Sequence, residues 1–156
     1  MEFLSGIQDS GFGVRDSGFG VRDLTRQGLG SQVTRSLRKI IGLLLLKKKR
    51  VDVVLVGRVR MRTYNREFRN KDYATDVLSF PDSEQPLGDL IICPQVVRAH
   101  ARRYGNTYRS ELIFVLIHGV LHLLGYNHMQ PAQRAIMERK ERQLLKQFGY
   151  RDLRGA

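Results

Sequence analysis

Three of the four histidines in this 156-residue chain, His118, His122 and His128, fall within eleven positions. His118 and His122 are four apart, a spacing that puts two side chains on one side of a helix with Cβ atoms about 5–6 Å apart. Neutral imidazole nitrogens so placed can share one divalent metal ion at about 2.0–2.1 Å each. Gly125 can end the helix in the left-handed conformation that other residues resist, and the turn then returns His128 to the same ion. Three nitrogens leave one coordination position open, the arrangement of a catalytic zinc rather than a structural one. A His-x3-His pair alone is more often core or surface; the third histidine after a glycine turn makes this pattern specific.

The elements that must position these residues can be read around them. Leu112–Ile117 is apolar at every position, so the helix carrying His118 has no solvent face and is expected to be buried. Imidazoles buried there need partners. Upstream, Ser36–Leu46 reads as a short helix and Val51–Val56, β-branched and bounded by Gly57, as a strand. Arg58–Phe68 reads as a basic helix, Thr75–Phe80 as a second strand that Pro81 stops, and residues 85–88 as a turn. Asp89–Cys93 is a third strand, and Pro94 opens a helix to Tyr104. After the histidine helix, Pro131 opens an amphipathic helix with Ile136, Leu144, Leu145 and Phe148 as core contacts. The expected class is α+β: a small mixed sheet with a buried central metal-binding helix and further helices packed against it.

Residues 9–15, Asp-Ser-Gly-Phe-Gly-Val-Arg, recur unchanged at 16–22. A glycine-rich tandem repeat with so little apolar surface predicts a flexible leader over 1–33, ahead of one domain over 34–150 and a tail over 151–156. Phe12 and Phe19 beside Arg15 and Arg22 are weak candidates for stacking on RNA bases. The net charge of +12 points to a polyanionic partner, nucleic acid or an acidic membrane surface. Cys93 is the only cysteine, which excludes an internal disulfide and suits a reducing cytoplasm. Nothing approaches the roughly 20 apolar residues of a membrane span, and the N-terminus lacks the pattern of a secretory signal.

Two segments carry a family likeness. One runs from Asn65 through Arg69, Asp72, Thr75-Asp76-Val-Leu-Ser-Phe-Pro81 and Gly88-Asp89 to Pro94; the other is His118–His128. Together they resemble the YbeY family of bacterial metal-dependent endoribonucleases, which mature ribosomal RNA. The resemblance covers roughly residues 35–150. It implies one zinc, or another divalent ion, on His118, His122 and His128. It also implies that Arg69 and His118 are catalytic, and that the partners are ribosomal RNA and the small ribosomal subunit or its proteins. Arg62, Arg66, Arg69 and Lys71, with Arg98, Arg102 and Arg103, form the expected track for the RNA backbone. Asp76 and Asp89 could each orient a ligand or pair locally. His100, in an arginine-rich helix, is expected to be exposed, and Cys93 to be a buried strand residue.

Three departures from the family pattern stand out. Ala74 replaces a proline, Asn127 replaces an aspartate before the last histidine, and the repeat has no counterpart. Asn127 keeps an oxygen that can accept a hydrogen bond but loses the carboxylate that could tune a ligand. The histidine spacing also resembles the His-Glu-x-x-His-x-x-Gly-x-x-His signature of zinc proteases. The glutamate that serves there as general base is Gly119 here, which argues against peptide hydrolysis. An RNA-binding ribosome-assembly factor with a structural metal, and a metal-dependent hydrolase of another substrate, remain the alternatives.

Overall fold

Alternation along Arg50–Leu55 (β3) organises the sheet: Val51, Val53 and Leu55 enter one core and Val54 the other, as the two-residue period of a strand requires. The computed structural model describes residues 14–16, 19–46, 49–82, 87–151 and 153. Among them β3 lies at the centre of a five-stranded sheet. Its other strands are β1 (Val14–Asp16), β2 (Phe19–Asp23), β4 (Val77–Asp82) and β5 (Leu87–Ile92). The order is β1-β2-β3-β5-β4, with β2, β3 and β5 parallel and the two outer strands antiparallel. Parallel strands need cover on both faces. On one face lie α1 (Gly30–Leu43), α4 (Tyr108–Leu123) and α5 (Pro131–Gln147), joined by Leu37, Ile40, Leu90, Leu116, Val120, Met137 and Leu144. On the other lies α2 (Arg58–Arg69), whose Met61 meets Val54, Phe80 and Ile91. A fifth described helix, α3 (Pro94–Tyr104), packs along α4.

Local chemistry sets the ends of these elements. Thr107 caps α4 by accepting the Ser110 N–H at 3.1 Å. Pro94 sits in the first turn of α3, where its missing N–H costs nothing. β4 and β5 approach so closely that a Cβ on Gly88, at φ +134°, would lie 2.1 Å from the Phe80 carbonyl oxygen. Only glycine fits there.

Several boundaries differ from the sequence reading. The fold begins before Thr34: β2 runs parallel to β3 from Phe19↔Val51 to Asp23↔Leu55. Phe19 and Val21 are each 3% exposed. The second repeat copy carries two apolar residues two positions apart, enough for a strand when β3 offers an open edge. A flexible leader is therefore corrected for residues 19–33, and the buried Phe19 is not available for stacking on RNA. Residues 1–13 and 17–18 lie outside the described residues, as do Lys47, Lys48 and residues 83–86, which include the first half of the turn expected over 85–88; its second half, Leu87 and Gly88, opens β5. The α1 helix starts at Gly30 and ends at Leu43, and β4 continues through Pro81 to Asp82. Pro81 is tolerated because β4 is an edge strand. In α5 the core face is Met137, Leu144 and Leu145, while Ile136, one position off that stripe, is 54% exposed. Within the expected tail, Leu153 packs against the core, and its carbonyl accepts from Asn106 Nδ2 at 2.8 Å.

Candidate metal centre

The apolar run predicted to bury α4 does so. Leu112, Ile113, Leu116, Ile117, Val120 and Leu121 are at most 1% exposed, and the histidines emerge where the helix leaves the core. Past Leu123 the Gly125 N–H reaches the His122 carbonyl at 3.0 Å and the Tyr126 N–H the Leu121 carbonyl at 3.0 Å. Gly125 stands at φ +98°, and this turn sends the chain back toward the helix. Asn127 Oδ1 accepts the Met129 N–H at 3.1 Å, bracketing His128 in a side-chain turn. One ligand nitrogen from each of His118, His122 and His128 then lies within 4.8 Å of the others.

His118 Nε2 and His122 Nε2 are 3.1 Å apart. Nitrogens each about 2.05 Å from one tetrahedral ion lie roughly 3.3 Å apart, so this pair is at the separation a shared metal requires. Burial, with His118 and His128 nearby, pushes the His122 imidazole down to about 4. Burial and then His118 lower His128 as well. Neutral imidazoles are the form that binds metal.

The group that orients this set was missed in the sequence. Glu141 of α5, 6% exposed, places Oε1 2.6 Å from His118 Nδ1. A carboxylate there holds the proton on Nδ1 and turns the Nε2 lone pair toward the other rings, the usual support of a metal-binding histidine. The signal available was a charged residue on the buried stripe of α5, four after Met137 and three before Leu144.

The three rings line a cavity of about 370 Å³ together with Arg69, Thr75, Asp76 and Ser79. Arg69 occupies the last turn of α2, next to the left-handed Asn70 that ends it. Arg62 and Arg66 are not in that lining. Arg62 makes a two-pronged bond to Asp72, Nε–Oδ1 2.9 Å and Nη2–Oδ2 3.0 Å, and Arg66 Nη1 lies 3.6 Å from the same carboxylate. The hydrogen bond from Arg62 holds the Asp72 carboxyl below its usual range. Lys71 is exposed and also outside the lining. Asp76 Oδ1 accepts the Val77 N–H at 2.8 Å, and Oδ2 lies 3.4 Å from His100 Nδ1, so His100 is partly buried and paired rather than free. Asp89 lies away from the histidines: its neighbours Leu90 and Ile92 enter the α4 core, so alternation points it to the opposite face. Burial, then Asp52 and Asp82, push its carboxyl up to about 6. Cys93 is fully buried.

Gly119 bears on the protease likeness. A Cβ there would lie 2.9 Å from Leu90 Cδ2 and 3.5 Å from Val77 Cγ2. Any side chain at this position would press on Leu90 between α4 and the sheet, and the helix lacks the glutamate that serves proteases as general base.

Comparisons with known proteins bear on the family of the chain. The chain is similar to the endoribonuclease YbeY of Thermotoga neapolitana, 42% identical over 105 residues, covering 65% of this chain and 70% of that one. It is 42% identical over 110 residues to the YbeY of Neisseria gonorrhoeae, covering 64% of each chain. With that of Anaeromyxobacter dehalogenans it is 43% identical over 129 residues, covering 77% of this chain and 67% of the other. The chain thus spans about two thirds of the length of the relatives it matches. The solution structure of TM1509 from Thermotoga maritima is similar with a TM-score of 0.60 at 26% identity, over 87% of this chain and 96% of that one. The family model described as endoribonuclease YbeY matches residues 22–149, and the chain belongs to that family.

Proposed function

We propose that this chain is a metal-dependent endoribonuclease that cuts single-stranded RNA during ribosomal RNA maturation and quality control, with the small ribosomal subunit as its setting. The observation that carries the reading is the single cavity shared by His118, His122, His128 and Arg69. The names of the relatives support the reaction class. The lone buried cysteine suits the cytoplasm, and no helix among the described residues is long and apolar enough to cross a membrane.

Zinc is the ion we assign to the three histidines, although other borderline divalent ions suit the same nitrogen donors. When bound, such an ion lowers the pKa of a coordinated water and polarises a phosphoryl oxygen. The protein residues do the rest. Glu141 keeps His118 in one tautomer and one orientation. Arg69 presents a guanidinium, which pairs with two phosphoryl oxygens in a fork, to the charge that grows as the phosphodiester is attacked. Thr75 and Ser79 offer hydroxyl groups to the same cavity. Arg62, Arg66 and Lys71, with Arg98, Arg102 and Arg103, supply background attraction for the backbone, which carries little sequence information.

The test is cleavage of single-stranded and duplex RNA by the full chain after chelation and after reloading with zinc. Cleavage of the single strand that chelation removes and zinc restores is the expected result. RNA binding without any metal-dependent product would instead mark an assembly factor with a structural metal.

A further inference from the structure

A second cavity lies far from the histidines, and its lining is cationic. It has a volume of about 270 Å³ and is lined by Gln32, Arg35, Ser36 and Lys39 of α1, Arg109 and Ile113 of α4, and Phe148. The α1 contribution follows an i, i+3, i+4, i+7 stripe, and Arg109 with Ile113 an i, i+4 pair, so one face of each helix is turned to this space. No carboxylate lines it. Lys39 is already engaged: Nζ donates to the Gln147 carbonyl at 2.7 Å and sits 4.6 Å from the Phe148 ring centroid. Arg35 and Arg109 are exposed, and no ion pair ties either to an acidic residue among the described residues.

We infer that this cavity is a second RNA contact, which takes a backbone phosphate remote from the bond being cut. The inference rests on the RNA-cleaving function proposed above. Two unpaired guanidiniums and one ammonium, with Ser36 and Gln32 as neutral donors, match a phosphoryl group in charge and in donor number. The space is small for a peptide segment. Its position decides which RNA can use it. Arg109 and His118 are nine residues apart on α4, about 13 Å along the axis and two and a half turns around it. The two cavities therefore face opposite sides of the helix. A short strand held at the histidines cannot reach Arg109; a long or folded RNA that passes around the protein can. The second contact selects long RNA over short.

The test is steady-state cleavage and equilibrium binding of a long folded RNA and a short single-stranded oligoribonucleotide. It compares the wild type with the double variant Arg35→Ala, Arg109→Ala. Lys39 is left intact because it supports the end of α5. For the long RNA, KM should rise about tenfold with kcat retained, and the log–log salt dependence of binding should become shallower by about 0.7–0.9, the amount that one lost phosphate contact removes. The short RNA should show neither change. A double variant with lysine at both positions should keep most of the long-RNA affinity, and matched melting curves for all three proteins show that the fold is intact. Equal losses for both RNAs would overturn the inference, because they indicate diffuse charge. Tight binding of inorganic phosphate without any change in RNA affinity would also overturn it, reassigning the cavity to a small anion. If the wild type cleaves no RNA, the proposed function fails while the binding measurements still decide the cavity.

Discussion

The helices α4 and α2 meet at one cavity but are built on opposite terms. α4 is apolar on all sides and buried along most of its length, so its few polar residues are conspicuous, and three histidines at its exit converge within 4.8 Å. α2 carries arginines at 58, 60, 62, 66 and 69 and buries only Met61 and Asn65. Most of its charge is solvated, and Arg62 and Arg66 are occupied with Asp72. The difference teaches how each kind of site is specified. In a buried helix clustered imidazoles at helical spacing mark a site, because an unpaired imidazole there is costly. On a cationic surface residue type marks nothing, and position does. Arg69 differs from its neighbours by lying where α2 ends, beside the histidine cavity.

Variants that break this comparison should rank accordingly. The largest effect belongs to α4: His118→Ala should abolish metal-dependent RNA cleavage, as read by product formation from a single-stranded substrate. Residual cleavage at the wild-type rate would remove the histidines from the reaction. Next comes α2. Arg69→Ala should lower kcat by about a hundredfold, as loss of a donor to transition-state charge does. It should weaken RNA binding only modestly, because other cations still hold the backbone. Arg69→Lys should recover little of the rate, since an ammonium lacks the fork. A fall in affinity that matches the fall in kcat would reduce Arg69 to one more surface cation.

A smaller effect sharpens the account of α4. Glu141→Gln keeps the shape but replaces the carboxylate that orients His118. Zinc affinity should drop by about ten- to a hundredfold, measured by chelator competition. Unchanged affinity would mean that the histidines orient themselves.

The smallest effect lies on the far face of the sheet and provides a contrast with both helices. The Asp89 carboxyl is raised from 3.8 to about 6 by burial and by Asp52 and Asp82, so the native state holds a proton that the unfolded chain releases. Its contribution to stability is most favourable below 3.8 and diminishes as pH rises toward 6. Asp89→Asn should therefore raise the melting temperature at neutral pH, and the gain should vanish below about pH 4. A gain independent of pH would contradict the assigned cause.

What the sequence disclosed follows the same division. His118, His122 and His128 were legible because helix period and one glycine turn bring them together locally. Glu141 was not, because its partner is 23 positions away and only packing of α5 on α4 joins them. Ile136 and Met137 were read one position out of register, since an amphipathic stripe fixes a face only to within a residue or so. β2 was hidden in the repeat: composition over seven residues masked the alternation of Phe19 and Val21, which only the open edge of β3 turns into a strand. Arg69 stood out through family likeness alone, and the cation cavity stayed hidden because its two helix faces, on α1 and α4, come together only in the folded chain.

Metal stoichiometry of the purified full chain tests the centre most directly. Elemental analysis of the wild type should find one divalent ion per chain, zinc foremost, and His122→Ala should lose most of it while keeping the wild-type far-ultraviolet circular dichroism. A metal-free wild type, or a variant that retains the full complement, would contradict the claim that these three histidines form the metal centre.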